Sequence, residues 1–182
     1  ESEANILLSN KGVLNKKGHK FIEAAKSFGV NEIYLISHAL LETGNGTSDL
    51  AVGIEVGLDS NKNPTVVTNS NRSKLTNIET VHNMYGIGAY DNCAKRCGAE
   101  RAYSEGWFSI DEAIVGGAQF VSGDYFSRGQ DTLYKMRWNP ANPGTHQYAT
   151  DVRWASKQVP RMKKLYDQLD NTMKIFDVPN FK

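Results

Sequence analysis

Asn31-Glu32-Ile33-Tyr34-Leu35-Ile36-Ser37-His38-Ala39-Leu40-Leu41-Glu42-Thr43-Gly44-Asn45-Gly46 is the run on which the reading of this fold turns. Ile33, Ile36, Ala39 and Leu40 recur at three- and four-residue spacing, the period of a helix with one buried face. Asn31 stands where a side-chain oxygen can cap the first turn. Gly44-Asn45-Gly46 is a poor continuation and stops the helix. Upstream, Phe21, Ile22, Ala25 and Phe28 mark another helix, closed by Gly29 in the position that favours a left-handed cap. Downstream, Ala51–Gly57 and Thr65–Thr68 are short and β-branched, separated by the turn-rich Asp59-Ser60-Asn61-Lys62-Asn63-Pro64. That pattern predicts a β-hairpin inserted in a helical protein.

Helical period then returns. Ser109-Ile110-Asp111-Glu112 fits a capping box, with Glu112 reaching back, and Ile114, Ala118 and Val121 line a buried stripe behind it. Gly116 and Gly117 weaken that helix intrinsically, so close packing against a neighbour is the expected reason for them. A last helix is expected from Thr150 or Asp151 to about Leu169, kinked or broken at Pro160.

The chain has 182 residues, enough for one domain with a buried core and too few for two ordinary ones. Lys and Arg number 21 and Asp and Glu 20, a net charge of +1 that gives no footing for nucleic acid or an anionic membrane. No apolar run approaches the ~20 residues of a membrane span. No signal-peptide pattern opens the sequence, so it reads as a mature protein or an excised domain. Cys93 and Cys97 are too few ligands for a zinc site. They are two thiols or one local staple, and a helix through both would present the sulfurs without disulfide geometry.

Glu42 is the first chemical candidate. It occupies the last turn of its helix, just before a glycine-rich turn that exposes it, and a helix C-terminus disfavours a further negative charge. A carboxyl so placed suits general acid work. His38 lies one turn earlier on the same face. As a metal ligand it would need partners that His19, His82 and His146 do not supply at ligand spacing, so it reads as a hydrogen-bonded helix histidine. Asn83-Met84-Tyr85-Gly86-Ile87-Gly88-Ala89-Tyr90 sets glycines among aromatics, which lets backbone approach a ligand closely. Met136 to Asp151 is a long polar and aromatic loop of the kind that carries function. Flat rings with amide and hydroxyl groups suit a sugar, and beside a poised glutamate they point to glycoside chemistry.

Five segments together identify a family resemblance: Tyr34–Ser48, Asn83–Tyr90, Gly116–Phe120, Thr132–Pro140 and His146–Asp151. In this order they resemble the bacterial endo-β-N-acetylglucosaminidases of glycoside hydrolase family 73, such as the glucosaminidase domains of staphylococcal and clostridial autolysins and related phage lysins. The resemblance runs from about Phe21 to the C-terminus. It implies a mainly α, lysozyme-like fold of the α+β kind, with a small β-hairpin lobe walling one side of a cleft. It also implies hydrolysis of the N-acetylglucosaminyl-β-1,4-N-acetylmuramic acid bond in peptidoglycan glycan strands. Glu42 matches the family's catalytic acid and Tyr148 the tyrosine of its Y-A-T-D segment. Tyr85 matches an aromatic lining the cleft, while Gln119, Trp138 and Asn139 fall in segments that imply sugar contact.

A second carboxylate, where the family supplies one, has Glu55 in the hairpin as its first candidate here, with Asp91 and Glu100 behind it. Without one, the 2-acetamido group of the substrate would attack the anomeric carbon, with Tyr148 orienting it. The resemblance further implies no metal and no cofactor, while the even charge and short apolar runs argue for no nucleic-acid partner and no membrane insertion. It describes a monomer, secreted and associated with the wall, within a longer protein. The rival readings are an N-acetylmuramidase or lytic transglycosylase on the same fold, and a non-catalytic wall-binding module.

Overall fold

The computed structural model describes residues 2–169 and 176–178. Helices α1 (Ser2–Leu7) and α2 (Gly18–Phe28) precede α3 (Glu32–Glu42), the helix expected from the opening run. Its cap is as expected: Asn31 Oδ1 accepts from the Tyr34 N–H at 2.9 Å. Gly29 ends α2 with φ 64°, the left-handed cap expected there. A short α4 (Asp49–Val52) leads into a three-stranded antiparallel sheet of order β2-β1-β3, made of β1 (Ile54–Leu58), β2 (Pro64–Val66) and β3 (Thr76–Val81).

The expected hairpin is therefore β1 and β2, starting later than expected because Ala51 and Val52 close α4 instead, and ending at Val66. β3 was not legible in the sequence. Along Thr76–Val81 only Val81 is fully buried, so no apolar alternation marks it. On β1 the alternation is real, with Ile54 and Val56 turned inward and Glu55 outward.

The second half comprises α5 (Ala94–Ser104), α6 (Ile110–Asp124), α7 (Leu133–Trp138) and α8 (Trp154–Tyr166). α5 packs on the sheet, and α2 packs on both α3 and α6. Ser109 caps α6 by accepting from the Glu112 N–H at 3.2 Å, and its hydroxyl donates to the Glu112 carboxylate at 2.9 Å. Glu112 thus bonds to the serine side chain, where a capping box would have it reach the backbone.

Both glycine expectations on α6 hold. A methyl on Gly116 would overlap Trp107, and one on Gly117 would overlap the Tyr85 ring. α8 runs through Pro160 without the expected break. It is held by buried Trp154, Gln158 and Leu165, whose packing outweighs one missing helix bond. Cys93 and Cys97 form a disulfide with Cα atoms 5.4 Å apart. The local staple is therefore the state formed; the objection to a helix through both does not apply, because Cys93 precedes α5 in non-helical backbone at φ −149° and only Cys97 lies on the helix.

The packing that matters for function is α3 against α8, which run antiparallel. Asn31 at the start of α3 donates to the Tyr166 hydroxyl at the end of α8, at 2.9 Å. Midway, Ser37 donates to the Gln158 side chain at 3.0 Å, both fully buried. At the far end the C-terminus of α3 therefore meets the N-terminus of α8, bringing Glu42 to Trp154.

Candidate active site

Glu42 is the last residue of α3, and the turn after it fixes where its carboxyl points. The Thr43 hydroxyl donates to Ala39 O and accepts from the Gly46 N–H at 2.8 Å. The Asn45 N–H bonds back to Leu40 O at 2.9 Å. Gly44, Asn45 and Gly46 all have positive φ, at 57°, 63° and 79°, so the chain reverses within three residues and leaves the Glu42 side chain at the surface.

Around the carboxyl the contacts are aromatic. Trp154 Nε1–H donates to Glu42 Oε1 at 3.4 Å. His38 Nε2 stands 3.6 Å from the same oxygen. The other oxygen, Oε2, lies over Gly86, where a Cβ would come within 3.0 Å of it. That close approach is what the glycine in the Asn83–Tyr90 segment provides. Among the described residues no lysine or arginine pairs with Glu42, so no cation is clamped on the carboxyl.

His38 forms the floor. Tyr85, Tyr148 and Trp154 meet it edge-on, with ring centroids at 5.3, 4.9 and 5.5 Å. Tyr148 stacks on Trp154 at 4.9 Å and donates its hydroxyl to Tyr85 O at 3.2 Å. Burial pushes the Tyr148 phenol well above its ordinary range, with the Tyr34 hydroxyl and the Glu42 carboxyl adding to the effect. It is therefore a neutral hydroxyl near neutral pH, able to donate and to accept but not to act as a phenolate.

The structure brings Glu42 and Tyr148 together on one pair of rings, His38 and Trp154. It separates the other expected residues. Tyr85 is 1% exposed, with its hydroxyl donated to Ile114 O at 3.3 Å, so its ring lies beneath the site and does not line a cleft. Gly117 has no side chain, which is what lets that ring sink into α6. Asn139 is also turned inward. It takes the left-handed cap of α7 at φ 44°, and its amide donates to Thr145 O at 3.0 Å, closing the loop that follows.

Trp138 is 37% exposed, with one face covered by the Arg137 guanidinium at 4.1 Å. Gln119 is exposed on α6, where with Lys20, Arg101, Trp107, Phe120 and Asp124 it lines a concavity of ≈920 Å³ that does not include Glu42. Glu55 points outward from β1 and is ion-paired with Arg72. Glu100 pairs with Arg96 at 3.2 Å, and Asp91 accepts from the Thr150 hydroxyl at 3.5 Å, two residues from Tyr148. Among the described residues no group of His, Cys, Asp and Glu could hold a metal ion.

Two residues that hold this arrangement together were not singled out by the sequence. Trp154 comes to Glu42 from 112 residues away, a contact no local pattern announces. Arg137, although 3% exposed, is the anchor of the segment that carries Tyr148. Its Nε and Nη2 donate to Asp151 O and Thr150 O at 2.8 and 3.0 Å, and Nη1 donates to the Gln147 side chain at 2.7 Å. A lysine cannot reproduce that fork. Arg137→Lys is expected to cost about 2–3 kcal/mol through lost charge-assisted hydrogen bonds, with faster amide exchange confined to residues around Tyr148. Thermal melts and hydrogen exchange would test this, and an unchanged melting temperature would refute the anchoring role.

Set beside known proteins, residues 18–167 match the Glucosaminidase family, described as mannosyl-glycoprotein endo-beta-N-acetylglucosaminidase. The chain belongs to the glucosaminidase family. The bifunctional autolysin of Staphylococcus aureus is 52% identical over 178 residues, covering 98% of this chain and 13% of that protein. This glucosaminidase chain thus spans about an eighth of the length of that relative. Crystal structures of S. aureus autolysin E have the same fold. One, in complex with the muropeptide NAM-L-Ala-D-iGlu, superposes with a TM-score of 0.73 at 46% identity, over 92% of this chain and 66% of that one. Another is a catalytic glutamate-to-alanine mutant in complex with the disaccharide NAG-NAM, with a TM-score of 0.71 at 43% identity and the same coverage. No helix among the described residues is long and apolar enough to cross a membrane.

Proposed function

We propose that this glucosaminidase domain hydrolyses peptidoglycan glycan strands at the bond that follows N-acetylglucosamine, with Glu42 as the general acid. The observation that carries the reading is the Glu42 carboxyl itself. It stands at an exposed helix end, is held at one oxygen by Trp154 and is free of any cationic partner among the described residues. Family membership and the NAG-NAM disaccharide bound by autolysin E support the same substrate class.

Glu42 protonates the glycosidic oxygen as its bond to the anomeric carbon breaks. Among the described residues the side-chain contacts of Glu42 are aromatic and include no second acid. Glu55 is held by Arg72. Substrate assistance follows as the proposed course: the 2-acetamido oxygen bonds to the anomeric carbon as the leaving oxygen takes the Glu42 proton. Water then attacks that carbon, gives its proton back to Glu42 and releases the acetamide. Tyr148, as a neutral hydroxyl, orients the acetamide. Trp138 and Gln119, both exposed, are proposed contacts for a strand extending beyond Glu42.

A monomer is the proposed working unit. Relatives many times longer support a catalytic domain within a larger secreted protein that acts at the wall.

The decisive test is digestion of purified peptidoglycan, with borohydride reduction and mass analysis of the new ends. Reduced N-acetylglucosamine is expected. Reduced N-acetylmuramic acid or its anhydro form would overturn the linkage assignment, and no new ends would overturn the enzymatic reading.

A further inference from the structure

His38 is fully buried, yet its polar chemistry is incomplete. Nδ1 lies 2.9 Å from the Tyr34 hydroxyl, one helical turn back. Nε2 has no hydrogen-bond partner among the described residues, and the polar atom it faces is Glu42 Oε1 at 3.6 Å. Buried polar atoms are normally satisfied. If this position served packing alone, a leucine would fill it without leaving a nitrogen unpaired.

The proton can be placed by elimination. A neutral imidazole donates from one nitrogen and accepts at the other. Tyr34 is buried, and burial holds its phenol protonated, pushed well above its ordinary range. If Nδ1 carried the proton, the Tyr34 O–H would lose this acceptor, and the Nε2 lone pair would face a carboxyl oxygen. If Tyr34 donates to Nδ1, Nε2 carries the proton and points it at Oε1. The second arrangement leaves neither conflict.

We propose that His38 is a positioning residue whose Nε2–H, fixed by Tyr34, holds Oε1 of Glu42 inward and so assigns the transferable proton to Oε2. This rests on the functional reading above. Trp154 Nε1–H is directed at the same oxygen, at 3.4 Å. Two donors on Oε1 make it the poorer proton site, while Oε2 stands free over Gly86. Both donor distances are long, and catalytic hydrogen bonds commonly tighten only when substrate is bound. After the proton leaves, the same two donors stabilise the carboxylate that must next accept a proton from water. His38 itself keeps its proton throughout.

Two measurements test this. The first is the nitrogen spectrum of the histidine-labelled protein, with His38→Gln used to assign the signal. The Nε2-protonated tautomer is expected, giving way to a mixture in Tyr34→Phe. An Nδ1-protonated His38 in the wild type would overturn the proposal. The second is turnover of soluble glycan strands. His38→Leu is expected to lower kcat about 10²-fold, with KM changed by less than about threefold.

His38→Gln, which keeps an N–H within reach of Oε1, should recover most of that loss. Equal losses in the leucine and glutamine variants, or a change confined to KM, would overturn positioning. Tyr34→Phe removes one hydroxyl without a cavity, so it covers the case in which the His38 variants fail to fold; a kcat unchanged in Tyr34→Phe would overturn the positioning role. A wild type that turns over no glycan would defeat the functional reading alone, because the tautomer is read without substrate.

Discussion

Glu42→Gln should lower glycan turnover by about 10²–10⁴-fold, the range over which general acid–base groups contribute, and leave the melting temperature where it was. The two side chains are nearly isosteric. The carbonyl of the substituted amide would still accept from Trp154 Nε1, and the position lies at the surface, outside the core. What is lost is the proton. Parallel assays of reducing ends and thermal melts would separate chemistry from folding. Wild-type turnover in this variant would sink the assignment of Glu42, whatever the products of the native enzyme.

Gly117→Ala tests the platform beneath. The added methyl would overlap the Tyr85 ring, which is fully buried against α6 and has nowhere to move. Overpacking of this kind costs about 1–3 kcal/mol, or roughly 2–4 °C of melting temperature per kcal/mol for a domain of this size. Activity should fall as well, because the Tyr85 carbonyl receives the Tyr148 hydroxyl. Gly123, on the same helix, has open space around it, so Gly123→Ala should be neutral or slightly stabilising. Equal melts for the two variants would disprove the packing explanation.

The features legible in the sequence are those determined within a few residues. The Asn31 and Ser109 caps, the left-handed Gly29 and the stop after Glu42 each depend on local hydrogen bonds. The glycines of α6 were legible as a sign of close approach, though not its target. β3 was hidden because its partner β1, not its own pattern, makes it a strand. Of the two states left open for the cysteines, the local staple is the one formed, because Cys93 stands just off the helix.

In the site, Glu42 and Tyr148, the two residues the resemblance singled out for catalysis, both meet His38 and Trp154. Tyr85 and Asn139 proved to be supports, their polar groups taken by Ile114 and Thr145. Trp154 was invisible for a topological reason, since its partner becomes a neighbour only after α8 has folded against α3. Arg137 was invisible because the path of the loop, not any local pattern, brings Gln147, Thr150 and Asp151 back to it.

The turn behind Glu42 gives the domain an unexpected perimeter. Asn45 accepts from Arg161 of α8 at 3.1 Å, and Gly46 O accepts from the Val13 N–H at 3.1 Å. Gly12 lies so close to Gly46 that a side chain there would collide with its carbonyl. Val13 precedes residue 18, where the match to the family begins. The carboxyl is thus braced from near both ends of the chain, like the keystone of an arch whose two feet stand far apart in sequence. A boundary drawn at residue 18 by family likeness would remove one of those feet, although no residue before it touches Glu42 in any described contact.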